Sequence, residues 1–378
     1  MNDVLRTLSE ARPDELNPDA PVGHDVRRME LARAMTADNV TAARGKRRRV
    51  RPVWGLGLAG AVAAGALVAV TVLPAGTGPA GDPGGGQGVD AKTVLLAAAG
   101  RADGQPDTVR AYWYRVLVSS NTHVVGSAGA RYTMVTRERQ ETWMPSDPDG
   151  KPRTRYQYLG AKPATEADAE AWRRAGSPRR FEVELPIAPG SKVKKPRFVF
   201  EAGPGRVRST NGTPTVSGDK IYWIGHNVTM REVQSLPADP ERLKAELMRW
   251  YDGRGTEGGG PARAELWLYN VAQGLVMELP VRPQVRAAAF RMLAGLPSVK
   301  SLGRVRDPQG RAGDAVAVDW KTPGGVVRHR MIIDSSTGSA LATENIMLKP
   351  KDGKGGPAGR AMSSVVTLTA EWTDSGPR

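Results

Sequence analysis

Four histidines, His24, His123, His226 and His329, are scattered through a 378-residue chain that contains no cysteine. Thiol nucleophiles, disulfide scaffolds and thiolate zinc sites are therefore excluded, and no H-E-x-x-H or other histidine cluster offers a different metal centre. No G-x-S-x-G elbow and no P-loop is present. Ser191 and Lys194 have the S-x-x-K spacing that puts a nucleophile and a base one helical turn apart, but Pro189, Gly190 and Pro196 deny them the helix. Gly55-Leu56-Gly57-Leu58-Ala59-Gly60 matches the dinucleotide-binding fingerprint, yet it does not follow a strand and lies in an apolar run, so the match is rejected. Asp147 and Asp149 read as turn residues, because the other ligands of a calcium loop are missing. Glu138 with Glu141, and Asp314 with Asp319, are carboxylate pairs that only the fold could bring together. His329 sits among the inward positions of a strand and reads as a core histidine. No catalytic, cofactor or metal site is predicted.

What the sequence does carry is charge with a direction. There are 54 Lys and Arg against 39 Asp and Glu, a net charge of +15. From Val53 to Leu73 run 21 residues without a charge, enough for a helix about 31 Å long, the thickness of a bilayer core. Immediately before it stand Arg44, Lys46, Arg47, Arg48, Arg49 and Arg51. By the positive-inside rule the N-terminus is cytoplasmic and the remainder lies outside the membrane. Some 50 residues precede the apolar run, too many for the leading part of a cleaved signal, so an uncleaved signal anchor is predicted. Small residues Gly57, Ala61, Gly65 and Ala69 recur on one face of this helix, as expected in any span so rich in Gly and Ala.

Four parts follow from this reading: a partly disordered cytoplasmic segment, 1–52, with 11 basic and 8 acidic residues; the transmembrane helix, 53–73; a Gly/Pro linker, 74–89; and an extracytoplasmic α+β domain, 90–378, with 43 basic and 30 acidic residues. Because the cations beside the span are explained by topology and most of the others lie outside the cell, no nucleic-acid partner is expected. Two basic clusters, Arg173, Arg174, Arg179 and Arg180, then Lys192, Lys194, Lys195 and Arg197, fall in Gly/Pro-bearing loops. The second is the candidate contact for an anionic envelope polymer.

The outer domain reads as a capped helix from Asp90 to Ala102 followed by strands over Tyr112–Ser119 and Arg131–Met144, with a hairpin turn at Ser146–Pro152. A short helix over Glu166–Ala175 precedes strand candidates at Phe181–Leu185, Phe198–Glu201 and Lys220–Ile224. Helices are predicted over Pro240–Tyr251, Ala262–Leu279 and Pro283–Leu296. Closing strands are predicted at Asp314–Trp320, Val326–Ile333, Ala340–Leu348 and Ser363–Trp372, with even positions apolar in the first and last.

Several stretches together resemble a family of uncharacterised single-pass membrane proteins common in actinobacteria: MNDVLRTLSEARP at the start, the basic stop before the span, Glu141-Thr-Trp-Met-Pro145, LPADPERLKAEL from Leu236, RPQVRAAAFRMLAGLP from Arg282, and GRVRDPQGRAGDAVAV followed by RHRMIIDSSTGSAL. The order of elements is also similar to the half-barrel of envelope lipoprotein carriers and envelope-stress regulators, in which a curved antiparallel sheet wraps around helices. The actinobacterial family brings no established activity; the signal anchor, the Gly/Pro linker, the long antiparallel strand set and the absence of catalytic constellations lead to the expectation of a noncatalytic, membrane-anchored protein that binds or senses an envelope component, with a lipid or an anionic wall polymer as ligand. Two other readings stand beside it. In one, residues 1–52 hold a cytoplasmic protein partner, as an anti-sigma factor does; in the other, a hydrolase site is assembled only in space.

Overall fold

The structure, a computed structural model, describes residues 89–126, 130–147, 149–184, 197–211, 220–223, 226–256, 262–322, 324–351 and 357–377. The predicted span at 53–73, its basic flank, and Ser191, Lys192, Lys194 and Lys195 lie outside the described residues. Among the described helices, none is long and apolar enough to cross a membrane.

Asp90 starts the first helix as its residue type predicts: its carboxylate accepts hydrogen bonds from the Thr93 N–H and hydroxyl, both at 2.8 Å. This helix, α1 (Ala91–Asp103), buries Val94, Leu95, Ala98, Ala99 and Ala102, the stripe that 3.6-residue periodicity places on one side. Three long strands follow, β1 (Tyr112–Val125), β2 (Tyr132–Pro145) and β3 (Arg153–Pro163). After α2 (Glu166–Arg174) come the short strands β4 (Arg180–Glu184), β5 (Arg197–Glu201), β6 (Arg208–Asn211), β7 (Lys220–Trp223) and β8 (His226–Thr229). Four helices, α3 (Met230–Gln234), α4 (Pro240–Met248), α5 (Ala264–Met277) and α6 (Pro283–Ala294), lead to β9 (Lys300–Arg306), β10 (Ala312–Thr322), β11 (Gly325–Asp334), β12 (Ser339–Pro350) and β13 (Ala361–Thr373).

The fold is α+β. Nine strands form one antiparallel sheet in the order β6-β3-β2-β1-β13-β12-β11-β10-β9, so the first long strand and the last one meet at its middle. The ribbons β4-β5 and β7-β8 are separate from it. Because side chains alternate along a strand, the sheet has two faces of different character. One face packs on the helices: Val316, Val318, Met331, Ile333 and Ala340 join α1, α4, α5 and α6 in the largest core cluster, with Trp113 and Trp372 stacked edge to face at 5.5 Å near its margin. The opposite face holds its charges in paired ladders, Arg139 with Glu141, Arg330 with Glu344, and Arg328 with Asp319.

The predicted elements recur with small shifts at their ends, α4 stopping at Met248 and α6 at Ala294. Four short elements, β6, β8, α3 and β9, have too few residues or too irregular an alternation to stand out; in β9 a glycine with positive φ, Gly303, separates Leu302 from Val305. The apolar even positions of the last strand do not all point to one face. A bulge opposite Val116 and Leu117 shifts the register, so Val365 and Ser363 share a face with Ala370 and Trp372. In β10 both parities are buried from Ala315 to Val318.

Candidate functional site

Among the described residues, the helix-facing side of the sheet is covered at two places, with a stretch of mostly half-buried side chains between them. At one end lie the helices. At the other, the β4-β5 ribbon lays Phe181, Val183, Phe198 and Phe200 on Val125, Tyr132, Met134 and Ala161 of β1 to β3. Alternation does this: in the pairs Phe181↔Phe200 and Val183↔Phe198 the apolar residues are opposite one another, while Glu182 and Val199 face outward.

The floor between the two covered places is made of cross-strand rows that the register defines. One row runs Tyr158, Glu138, Ser119, Val365, Thr343; the next runs Ala161, Thr136, Asn121, Ser363, Asn345, His329. Nearer the helices are Tyr156, Gln140, Leu117 and Thr367, then Thr154, Thr142, Arg115 and Ala370. Most of these side chains are half-buried. They are also mainly polar, unlike the clusters at either end, and several bond to each other: the Tyr156 hydroxyl accepts from Gln140 Nε2 at 2.6 Å, and Ser363 Oγ accepts from Asn345 Nδ2 at 3.0 Å.

On this face the in-register residues of β1, β2, β3, β12 and β13 include two formal charges, Arg115 and Glu138. Arg115 is buried and donates through Nη1 to the Glu278 carboxylate at 2.9 Å and to the Glu278 carbonyl at 3.2 Å, while its Nη2 is buried without a hydrogen bond. Glu138 makes no ion pair among the described residues. Burial raises its carboxyl above the ordinary value, and burial with the charge of Glu138 pushes the Tyr156 hydroxyl up to about 12 and the Tyr158 hydroxyl higher still. A partly desolvated carboxylate that makes no ion pair among the described residues is suited to a cationic group, to which it supplies the opposite charge.

The structure separates most of the residue pairs suggested by sequence. Glu138 and Glu141 are three apart on one strand and point to opposite faces, as do Asp314 and Asp319 at five apart. His123 and His329 share a face, but β13 and β12 lie between their strands, a gap of roughly 14 Å at ~4.8 Å per strand. Arg197, the described member of the candidate polyanion contact, lies 3.9 Å from Glu182; Arg173, Arg174 and Arg180 also pair with Glu166, Glu170 and Glu201. Among the described residues no group of three His, Asp or Glu could hold a metal ion. Sequence motifs do not single out Arg115, Tyr156, Tyr158 or Glu278 as site residues, and the fold does not bring Glu138 and Glu141 together.

His123 marks the ribbon end of the floor. Its ring stacks on Phe200 at 5.2 Å between centroids, its Nε2 is 3.0 Å from Thr136 Oγ1, and burial holds its pKa down to about 4. An unfolded histidine titrates near ~6.5, so as pH falls below that value the unfolded chain takes up a proton that the folded one refuses. Stability is therefore lost as pH falls from ~6.5 toward 4, by about 1–3 kcal/mol once partial exposure is allowed for. Urea denaturation at pH 7 and pH 4.5 is expected to show this loss in the wild type and a smaller one in His123→Phe, which keeps the ring stack but cannot titrate.

No family model matches the chain, and no curated protein matches it.

Proposed function

We propose that this chain is a single-pass membrane protein, similar to the actinobacterial family named above, whose α+β domain stands outside the membrane and binds or senses an envelope component without catalysing a reaction. The charge-free run from Val53 to Leu73 and the six cations before it support the anchor and its direction. The likeness to the half-barrel of lipoprotein carriers belongs to the same reading, with the helix-facing side of the sheet as the working surface.

One observation carries the choice of ligand. Among the described residues Glu138 is a half-buried carboxylate that makes no ion pair, and in the rows of β1, β2, β3, β12 and β13 the other charge, Arg115, is already paired with Glu278; Arg208 of β6 lies on the same face opposite Tyr156. The floor around it is polar rather than apolar, which favours a polar group with a free amine over an acyl chain. Both phospholipid headgroups and wall peptides present such amines.

The test is binding of the full chain in detergent to two probes, short-chain phosphatidylethanolamine and a lysine-containing wall peptide, each beside its N-acetylated form. Binding of at least one free amine is expected, with a tenfold to hundredfold loss on acetylation or in Glu138→Gln, corresponding to about 1.4–2.8 kcal/mol. Binding that is indifferent to both changes, or none to either amine, would overturn the assignment to Glu138.

A further inference from the structure

The sheet is forked. β12 and β13 pair from Ile346↔Ala361 to Ala342↔Val366 and no further, although β12 stays paired with β11 as far as Asp334↔Ser339 and β13 with β1 as far as Tyr112↔Thr373. Both strands bulge where they part, between Ile332 and Ile333 on the β11 side and between Val116 and Leu117 on the β1 side. Arg311 bridges the opening: its Nη2 donates to the carbonyls of Leu341 and Thr367, both at 3.0 Å, while Asp307 neutralises it at 2.7 Å.

Behind this bridge is a cavity of about 340 Å³, walled by the parted strands, by Val276 and Met277 at the end of α5, and by Arg286 of α6. That volume is at the small end of ligand cavities, which run from ~300 to 1,000 Å³, so it suits a single headgroup or a small solute. Two features of its wall are incomplete. Arg286 donates through Nη1 to the neutral Gln105 Oε1 at 2.8 Å and has no carboxylate within ion-pair distance among the described residues. The Thr367 hydroxyl is buried with no hydrogen-bond partner. Asp334 also lines the cavity, but its carboxylate is engaged by the Ser336 hydroxyl and N–H at 2.6 and 3.0 Å. Burial lowers the Arg286 pKa to about 10, which leaves it a cation at neutral pH.

A desolvated guanidinium without a counter-charge is costly, and a phosphate or carboxylate is the group that matches its planar donor fork. A neighbouring hydroxyl in need of a partner adds a third donor. We infer that the fork cavity is an anion site, in which one phosphate-type group is held by Arg286 and the Thr367 hydroxyl. It lies at the parting of β12 and β13, shares Thr367 and Ala370 with the floor around Glu138, takes ligands of the opposite charge, and does not depend on the amine reading.

The experiment measures the thermal midpoint of the full chain in neutral detergent against inorganic phosphate, short-chain phosphatidic acid and short-chain phosphatidylcholine, at constant ionic strength. Phosphate is expected to raise the midpoint saturably. Arg286→Met should abolish the rise, Arg286→Lys should need about tenfold more phosphate because the ammonium lacks the fork, and Thr367→Val should need several-fold more. Should Arg286→Met fail to fold, the Thr367→Val comparison decides. If phosphatidic acid acts at tenfold lower concentration than phosphate and phosphatidylcholine does not act, the source is a lipid headgroup; if phosphatidic acid and phosphate act alike, it is a free anion. Absence of any midpoint shift with phosphate and phosphatidic acid, or an undiminished shift in both Arg286→Met and Thr367→Val, would overturn the site.

Discussion

Replacing Glu278 with alanine is expected to cost about 3–5 kcal/mol of unfolding free energy, the range for stripping a buried charge of its partner. The Arg115 side chain is 2% exposed and Glu278 is 29% exposed, so among the described residues the substitution leaves the guanidinium inside with the Glu278 carbonyl to receive it. Burial already lowers the Arg115 pKa, and Glu278 is the main force opposing that shift. The same carbonyl accepts from Trp113 Nε1 at 2.9 Å, which ties the end of α5 to the central strand. A surface ion pair would give less than about 1 kcal/mol, so the magnitude itself separates the two cases. The double variant Arg115→Met with Glu278→Gln removes both charges and is expected to recover most of the loss, since a buried pair is often no better than apolar side chains of similar volume. Urea titration of the wild type and the two variants measures this; a loss under 1 kcal/mol for Glu278→Ala would show that water reaches Arg115.

Much of the architecture is written locally. Asp90 caps α1, Asp239 accepts from the Arg242 N–H at 2.9 Å with Pro240 at the first helical position, and the long strands alternate visibly. The site was legible in part, by a rule that had to be applied to charges as well as to apolar residues. In β2, Arg137, Arg139 and Glu141 share one parity, while Tyr132, Met134, Thr136, Gln140, Thr142 and Met144 share the other, and Glu138 alone is charged among them. Period-two alternation along the strand is therefore enough to set Glu138 apart from Glu141. Arg115 stands in the same way between Trp113 and Leu117, but its partner Glu278 is 163 residues away and no local pattern announces it. The fork between β12 and β13 was also hidden. It depends on two bulges, and a bulge inserts a residue without changing composition.

A polar floor changes what the half-barrel likeness would mean here. Carriers that shield acyl chains need an apolar lining, whereas this face keeps its apolar clusters at the two covered ends and exposes Tyr156, Glu138, Ser119 and Asn121 between them. Recognition of a headgroup, sugar or peptide fits that distribution better than storage of a lipid tail.

The membrane reading has the largest all-or-none consequence, and the absence of cysteine makes it easy to measure, because one introduced thiol is the only thiol in the chain. Val207 is 58% exposed in the α+β domain, and Thr7 lies in the segment before the charge-free run. With single-cysteine variants Val207→Cys and Thr7→Cys expressed in wall-stripped cells, a membrane-impermeant maleimide is expected to label the first in intact cells and the second only after lysis. Labelling of Thr7→Cys in intact cells, or protection of Val207→Cys until lysis, would contradict the orientation on which the account of an envelope-binding domain rests.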